Sequence, residues 1–257
     1  MIPDAEKNHL QRNHLHGNIK QIITSLYLAD TDDTSQSAKS KLATYVHEYN
    51  PEGYLVKTVN FDADSNIKSI KNVYYHANDK ENYWEETDFS GTVLAKCEYI
   101  YDVNQYLSEE RYFKNATLLS IIRYKTDGIG DIIEMVRHES GYQMQHKMHY
   151  NEKKLLCRID QFDPAGKLFK YFLIEYDDAG NELNRKVYSG QNRFIEYTYT
   201  QYDDAGKLCK VIYEDKINSL RTEKLYKLHD SQRNWLLEEE KMKNSNLHIR
   251  ERKIIYY

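Results

Sequence analysis

The sequence predicts an all-β protein: repetitive antiparallel β-hairpins forming a long coiled meander sheet or open β-solenoid, about 18 strands. Three observations predict it. A spacing of 26 residues recurs along most of the chain, turn-forming residues interrupt it twice per period, and the segments between are short and rich in Tyr, Ile, Val, Phe and Leu.

The period shows first in the string YDDAG, which opens at Tyr176 and again at Tyr202. Stepping outward at that interval meets Tyr150, Tyr124, Tyr101, Tyr75 and Tyr49, and one slightly longer step reaches His229. Only the step from Tyr101 to Tyr124, at 23 residues, breaks the interval between tyrosines. Each copy carries a second break near its middle, as in "FDADSN" from Phe61, "DPAGKL" from Asp163 and "KNSNLH" from Lys243. Asp, Asn, Gly, Ser and Pro in such clusters are turn chemistry. Nine of the ten glycines fall in the breaks, and Gly53, Gly128, Gly166, Gly180 and Gly206 are read as structural turn residues.

Strands joined by short turns are antiparallel neighbours, so each copy is one hairpin unit. Along the chain, residues 1–16 read as a disordered tail. Residues 17–48 form an opening strand pair with a long polar loop over 28–40, and residues 49–257 hold eight repeats. So many strands exceed the roughly ten that an open twisted sheet tolerates before it curls. A coiled open sheet is expected over a closed barrel, because nothing in the sequence marks the first and last strands as partners.

The pattern Tyr-Asp-x-x-Gly-x-Leu, present as "YDDAGNEL" from Tyr176 and "YDDAGKL" from Tyr202, resembles the YD repeats of the RHS family. The last copy, "HDSQRNWLL", is similar to a degenerate form with His229 replacing Tyr and Arg233 replacing Gly. The resemblance covers roughly residues 49–257 and implies a spiral sheet of hairpins, usually in exported or surface-associated bacterial proteins. Large members form hollow shells around a toxin, and some are described as carbohydrate-binding. This chain is too short for such a shell, and the resemblance supplies no catalytic residues.

The chemistry is bland. A net charge of −4 gives no electrostatic reason to expect nucleic acid or an anionic membrane, and no apolar run is long enough to span a bilayer. The polar start lacks the apolar stretch of a signal peptide, so the chain as it stands reads as cytoplasmic, or as exported or cell-surface if a leader has been removed. Cys97, Cys157 and Cys209 are expected as free thiols, since Cys157 and Cys209 sit two repeats apart and a disulfide needs Cα atoms within about 7 Å. His9, His14 and His16, and again His138, His146 and His149, lack the spacing of a metal site. Asp177–Asp178 and Asp203–Asp204 are read as turn caps in preference to calcium ligands. No cofactor and no catalytic residue is expected.

The aromatic residues carry the functional expectation. Tyrosines at one repeat position should stack in a row, and Tyr75, Trp84, Tyr176, Tyr197, Tyr199, Tyr202 and Trp235 are the candidate ligand-binding residues. The expected function is a non-enzymatic repeat scaffold that binds a protein partner or joins an assembly through its sheet face or edge. The alternative is a carbohydrate-binding module that uses exposed Tyr and Trp. The sequence carries no signal for the oligomeric state.

Overall fold

The computed structural model describes residues 8–13, 15–29, 39–242 and 247–257. The expected histidine His14, most of the loop after Ala29 and the turn "KNSN" lie outside the described residues. One short helix, α1 (His9–Arg12), precedes eighteen strands. These are β1 (Ile19–Ala29), β2 (Lys39–Tyr49), β3 (Leu55–Phe61), β4 (Ile67–Tyr75), β5 (Glu81–Thr87), β6 (Val93–Tyr101), β7 (Leu107–Lys114), β8 (Thr117–Thr126) and β9 (Ile132–Glu139). They continue as β10 (Tyr142–Tyr150), β11 (Leu156–Phe162), β12 (Leu168–Tyr176), β13 (Glu182–Ser189), β14 (Phe194–Tyr202), β15 (Leu208–Asp215), β16 (Leu220–His229), β17 (Trp235–Met242) and β18 (Leu247–Tyr256).

Every strand pairs antiparallel with its neighbours in sequence, as expected, but the sheet does not stay open. β1 pairs with β2 on one side and with β18 on the other, in register from Gln21 opposite Ile255 to Ala29 opposite Leu247. The meander therefore closes into an 18-stranded barrel, which overturns the open solenoid or spiral sheet. Closure also removes the edge strands through which association was expected.

The turns explain the curvature. At each repeat boundary the register shifts at the anchor residue: Tyr49, Tyr75, Tyr101, Thr126, Tyr150, Tyr176, Tyr202 and His229. A β-bulge bends its strand and increases its twist, and here one recurs at the same end of every hairpin. The fourth anchor is Thr126; Tyr124 lies two residues before it. Two-residue turns at Asn115–Ala116 and Ser140–Gly141 shorten the neighbouring copies.

After each anchor comes one turn geometry. The N–H of Asp177 donates to the carbonyl of Asn181 at 2.9 Å, and Gly180 N–H donates back to Asp177 at 3.1 Å. Residues at the Gly180 place have positive φ in all eight copies: Gly53, Asp79, Gln105, Gly130, Lys154, Gly180, Gly206 and Arg233. Gly128, expected there, is not in the left-handed region; Gly130 takes that role at φ 94°.

The seam repeats the turn without its covalent link. Tyr257 N–H donates to the Asn18 carbonyl at 3.0 Å, as Asp177 does to Asn181, and Gly17 (φ 86°) stands where Gly180 (φ 89°) stands. Tyr257 Oη also donates to the Tyr49 carbonyl at 2.7 Å, which ties the seam to the first repeat.

Register assigns the two faces. Starting at Ile22, cross-strand partners run through His47, Thr58, Lys71 and, two residues on, Val73 to Trp84. The same face carries Cys97, Glu110, Met135, His146, Phe172, Ile174, Arg185, Val211, Glu238 and Arg252 around the ring. This face holds most of the buried wall residues, among them Ile22, Thr58, Ser69, Val73, Cys97, Ile174, Thr200 and Glu238. Closing a sheet crowds its concave side, so this is the inner face. Eighteen strands about 4.8 Å apart give a wall at least about 27 Å across, a size at which barrels enclose an aqueous lumen.

Candidate functional site: the lumen and its mouth

The outer face is a lattice of paired charges. Glu109 accepts from Arg111 Nε at 2.6 Å and from Arg123 Nε at 2.9 Å. Lys96 meets Glu98 at 3.1 Å, Lys186 meets Glu175 at 2.7 Å and Lys210 meets Glu223 at 2.6 Å. A lipid-facing barrel instead shows an apolar band about 25 Å tall. Among the described residues, no helix is long and apolar enough to cross a membrane.

Anchor tyrosines hold the inner rim at the repeat-boundary end. Tyr75, Tyr101, Tyr150 and Tyr176 each donate a hydroxyl hydrogen bond to the backbone carbonyl six places past the preceding anchor: Leu55 at 2.6 Å, Glu81 at 2.8 Å, Ile132 at 2.8 Å and Leu156 at 2.8 Å. Tyr202 makes the same bond to Glu182 at 3.4 Å, and His229 Nε2 lies 2.9 Å from the Leu208 carbonyl. The Asp that follows an anchor caps its turn; Asp203 Oδ1 accepts from Ala205 N–H at 2.9 Å and Lys207 N–H at 2.8 Å. Among the described residues, no group of three or more His, Cys, Asp or Glu could hold a metal ion.

Residues 8–13, 15 and 16, within the segment read as a tail, are seated on this rim. Asn8 caps α1 and donates from Nδ2 to the Glu52 carbonyl at 2.5 Å, while Leu10 N–H donates to the Gly53 carbonyl at 3.2 Å. A Cβ on Gly53 would lie 2.5 Å from Asn8 Nδ2, so the close approach requires glycine. Leu10 is buried with Ile19, Ile22 and Tyr49, and His9 Nε2 reaches Glu81 at 3.2 Å. At the far end Asn234, fully buried, accepts from His16 N–H and donates to His16 O, both at 2.8 Å. Between Asn13, Leu15 and His16 and the last three repeat turns lies a cavity of about 620 Å³, lined by Asp177, Asn181, Tyr202, Asp203, His229 and Trp235 among others.

The structure brings together only some of the expected aromatic site. Tyr202 and Trp235 line the cavity, whereas Tyr75 and Tyr176 lie elsewhere on the rim. Trp84 faces the lumen below Lys71, whose Nζ is 3.9 Å from the ring centroid. Tyr197 and Tyr199 stand on the outer face, 6.5 Å apart and nearly parallel, with Tyr197 Oη bonded to Asn184 at 2.7 Å. These seven aromatic residues are divided between the rim, the lumen wall and the outer face.

Sequence reasoning missed the ionisable groups of the lumen wall. Burial holds Lys71 and His47 below their ordinary pKa values, and the charge of Arg252 adds to the effect on His47. Burial pushes the Glu110 carboxyl up, opposed by the hydrogen bond it accepts from Tyr124 Oη at 2.8 Å. All three cysteines are free; Cys97 faces the lumen, where burial pushes its thiol up to about 12, while Cys157 and Cys209 sit at the rim bulges beside Tyr150 and Tyr202. Part of the signal was available: counting back by two from Tyr49, Tyr75 and Tyr101 places His47, Lys71 and Cys97 on the tyrosine face, whereas Glu110 lies past a bulge, where the count breaks.

No family model matches the sequence, and no curated protein does. Solved structures with a similar strand arrangement include a porin-like protein from Bacteroides uniformis, with 11% identity over 93% of this chain and 98% of that chain and a TM-score of 0.49. The Tc holotoxin pore of Photorhabdus luminescens is similar over 84% of this chain and 14% of that chain, with 12% identity and a TM-score of 0.40. A TcdB2–TccC3 structure is similar over 83% of this chain and 15% of that one, again with 12% identity and a TM-score of 0.40. These likenesses assign no function to this chain.

Proposed function

We propose that the protein is a non-enzymatic YD-type repeat barrel that holds an extended polypeptide segment against its inner rim and lumen wall. The observation that carries this reading is the seating of residues 8–13, 15 and 16. The rim receives an irregular peptide through backbone hydrogen bonds at both ends and an apolar pocket for Leu10 between them. The rest of the mouth, at Tyr202 and Trp235, offers the same kinds of groups to a guest. The outer face favours water because its charges are already paired on the wall, and the barrel works with water on both sides. The two copies with the full YDDAG string and the shared turn geometry support the YD-type repeat. The aromatic candidates are divided between faces and their hydroxyls serve the wall, which weighs against a glycan platform.

Cysteines at the rim provide the test. Cys157 and Cys209, partly exposed, are to be alkylated with and without reduced, carboxymethylated α-lactalbumin, a permanently unfolded chain. Slower alkylation of both thiols with the probe bound is expected. Saturable binding that leaves both rates unchanged, or no binding, refutes a lumenal guest. The protein is also expected to remain in solution beside phosphatidylcholine vesicles.

A further inference from the structure

The inner wall of β16–β18 carries an uncompensated cation. Lys224, Glu238, Glu240, Arg250 and Arg252 share this face by register. Arg250 Nη1 donates to Glu238 and, at 2.6 Å, to Glu240, while Lys224 Nζ lies 3.9 Å from Glu238 and 3.7 Å from Glu240. Two carboxylates are thus committed to two cations, and Arg252 is the third cation. Among the described residues, Arg252 makes no ion pair or hydrogen bond, and its Nε is buried without a partner. Burial draws its pKa down to about 10, against the opposing influence of Tyr49, Glu238 and Tyr226.

A guanidinium taken out of water costs several kcal/mol unless it is paired. Among the described residues its direct contact is the Trp235 indole, whose centroid is 3.4 Å from Cζ; cation–π contacts of this kind return about 0.5–2 kcal/mol. Contact through its face leaves the edge of the guanidinium available, and that edge matches two acceptors in one plane. Tyr226 packs against the same indole at 5.5 Å. The excess charge is one, and the charge of Glu238, which already acts on Arg252, disfavours a dianion. These features select a planar monoanion.

We infer that Arg252, supported by Trp235 and Tyr226, forms a carboxylate-binding site on the lumen wall for an acidic side chain or the terminal carboxylate of a guest polypeptide. The inference rests on the lumenal-guest reading above.

The experiment uses the full chain carrying Trp84→Phe, which leaves Trp235 as the only tryptophan. Three nine-residue peptides, acetyl-Gly-Ser-Tyr-Ser-X-Ser-Tyr-Ser-Gly, are titrated by Trp235 fluorescence and calorimetry: X = Glu with a terminal amide, X = Gln with a terminal amide, and X = Gln with a free carboxylate. At least one carboxylate-bearing peptide is expected to bind tenfold or more tightly than the amidated Gln peptide, and which one does so identifies the source. Arg252→Gln should abolish that preference and Arg252→Lys should restore part of it, with melting used to confirm that both variants fold. Equal binding of all three peptides overturns the carboxylate site and leaves the lumenal guest intact. No binding by any peptide overturns both. A tenfold preference that survives in folded Arg252→Gln overturns the assignment to Arg252, and displacement of the acidic peptide by phosphate but not by acetate overturns the monoanion.

Discussion

Closure at the seam makes a quantitative demand on Ile22. Its side chain is 1% exposed and packs with Leu10, Ile19 and Tyr49, with Leu55 and Ile254 against the cluster. Ile23, the next residue on β1, points outward and is half-buried. Truncating a buried Ile to Ala removes its transfer free energy and leaves a cavity, together about 2–5 kcal/mol. Taking about 3 kcal/mol for Ile22→Ala, at roughly 2–4 °C per kcal/mol for a chain of this size, the melting temperature should fall by about 6–12 °C. Ile23→Ala should cost less than about 1 kcal/mol. Ile174→Ala, far from the seam and 5% exposed, sets the scale for the continuous wall and should match Ile22→Ala within about 1 kcal/mol. Hydrogen exchange supplies the second readout: β1 amides, bonded on both sides, should be protected as well as those of β12. An open sheet predicts the opposite pattern, with frayed β1 amides, a near-neutral Ile22→Ala and the full cost only at Ile174. That result would refute the closed barrel.

Tyr176→Phe removes a 2.8 Å hydroxyl bond and strands the Leu156 carbonyl, so it should cost about 1–2 kcal/mol in urea unfolding; Tyr202→Phe, whose bond is 3.4 Å, should cost clearly less. Equal costs would sink the rim role of the hydroxyls. Gly206→Val meets nothing within 4 Å and pays only for φ 75°, about 1–2 kcal/mol by melting. Gly190→Ala would put Cβ 1.9 Å from the Leu168 carbonyl and should cost more. Hydrogen bonds hold the turn carboxylates of Asp62, Asp88 and Asp203 below their ordinary 3.8, led by the Asn66 amide, the Ser90 hydroxyl and the Lys207 amide respectively. Lowered folded-state pKa values give stability that is present above the ordinary value and lost as pH falls through the lowered ones. The urea midpoint should therefore drop below about pH 4, and a triple Asp→Asn variant should flatten that limb; an unchanged acid limb would count against the caps.

The hairpin order and most repeat boundaries were legible because the turn is a local device. An Asp whose carboxylate caps two amides and a residue with positive φ three places later leave a readable mark when both are typical, as in the copies at Tyr176 and Tyr202. Asp79, Gln105, Lys154 and Arg233 hold the same positive φ without glycine, at about 1–2 kcal/mol each, so their copies look degenerate while their geometry is not. The fourth copy misleads for a related reason. Tyr124 lies one full interval before Tyr150, but Thr126 carries the bulge, and Tyr124 donates to Glu110 instead of to a rim carbonyl. Glycine alone then pointed to Gly128 when the left-handed position was Gly130. The lumen site was hidden because Arg252 lies in "IRERKII", where charge alternates on both faces and polarity alone does not distinguish wall from water.

That two-sided polarity also explains why turns, and not a core, specify this barrel. A strand with one greasy face has its register set by burial, since a slip of one residue would expose the whole set. Here the inner face mixes Ile22, Val73 and Ile174 with Lys71, Glu110, Arg185 and Glu238, and the outer face mixes Leu173 and Val59 with charges, so burial discriminates weakly. Register must come from the hairpin ends, where bulge and left-handed residue recur in every copy and an Asp or Asn caps the turn in every copy but the one at His76. Closure follows from the same parts. The half-turn at Gly17–Asn18 and the half-turn at Tyr256–Tyr257 meet through the Tyr257–Asn18 bond and rebuild the geometry that eight connected turns already share. Gly17–Asn18 repeats the Gly180–Asn181 pair of "DAGNEL", and that pair is the sequence mark of the partnership between the first and last strands.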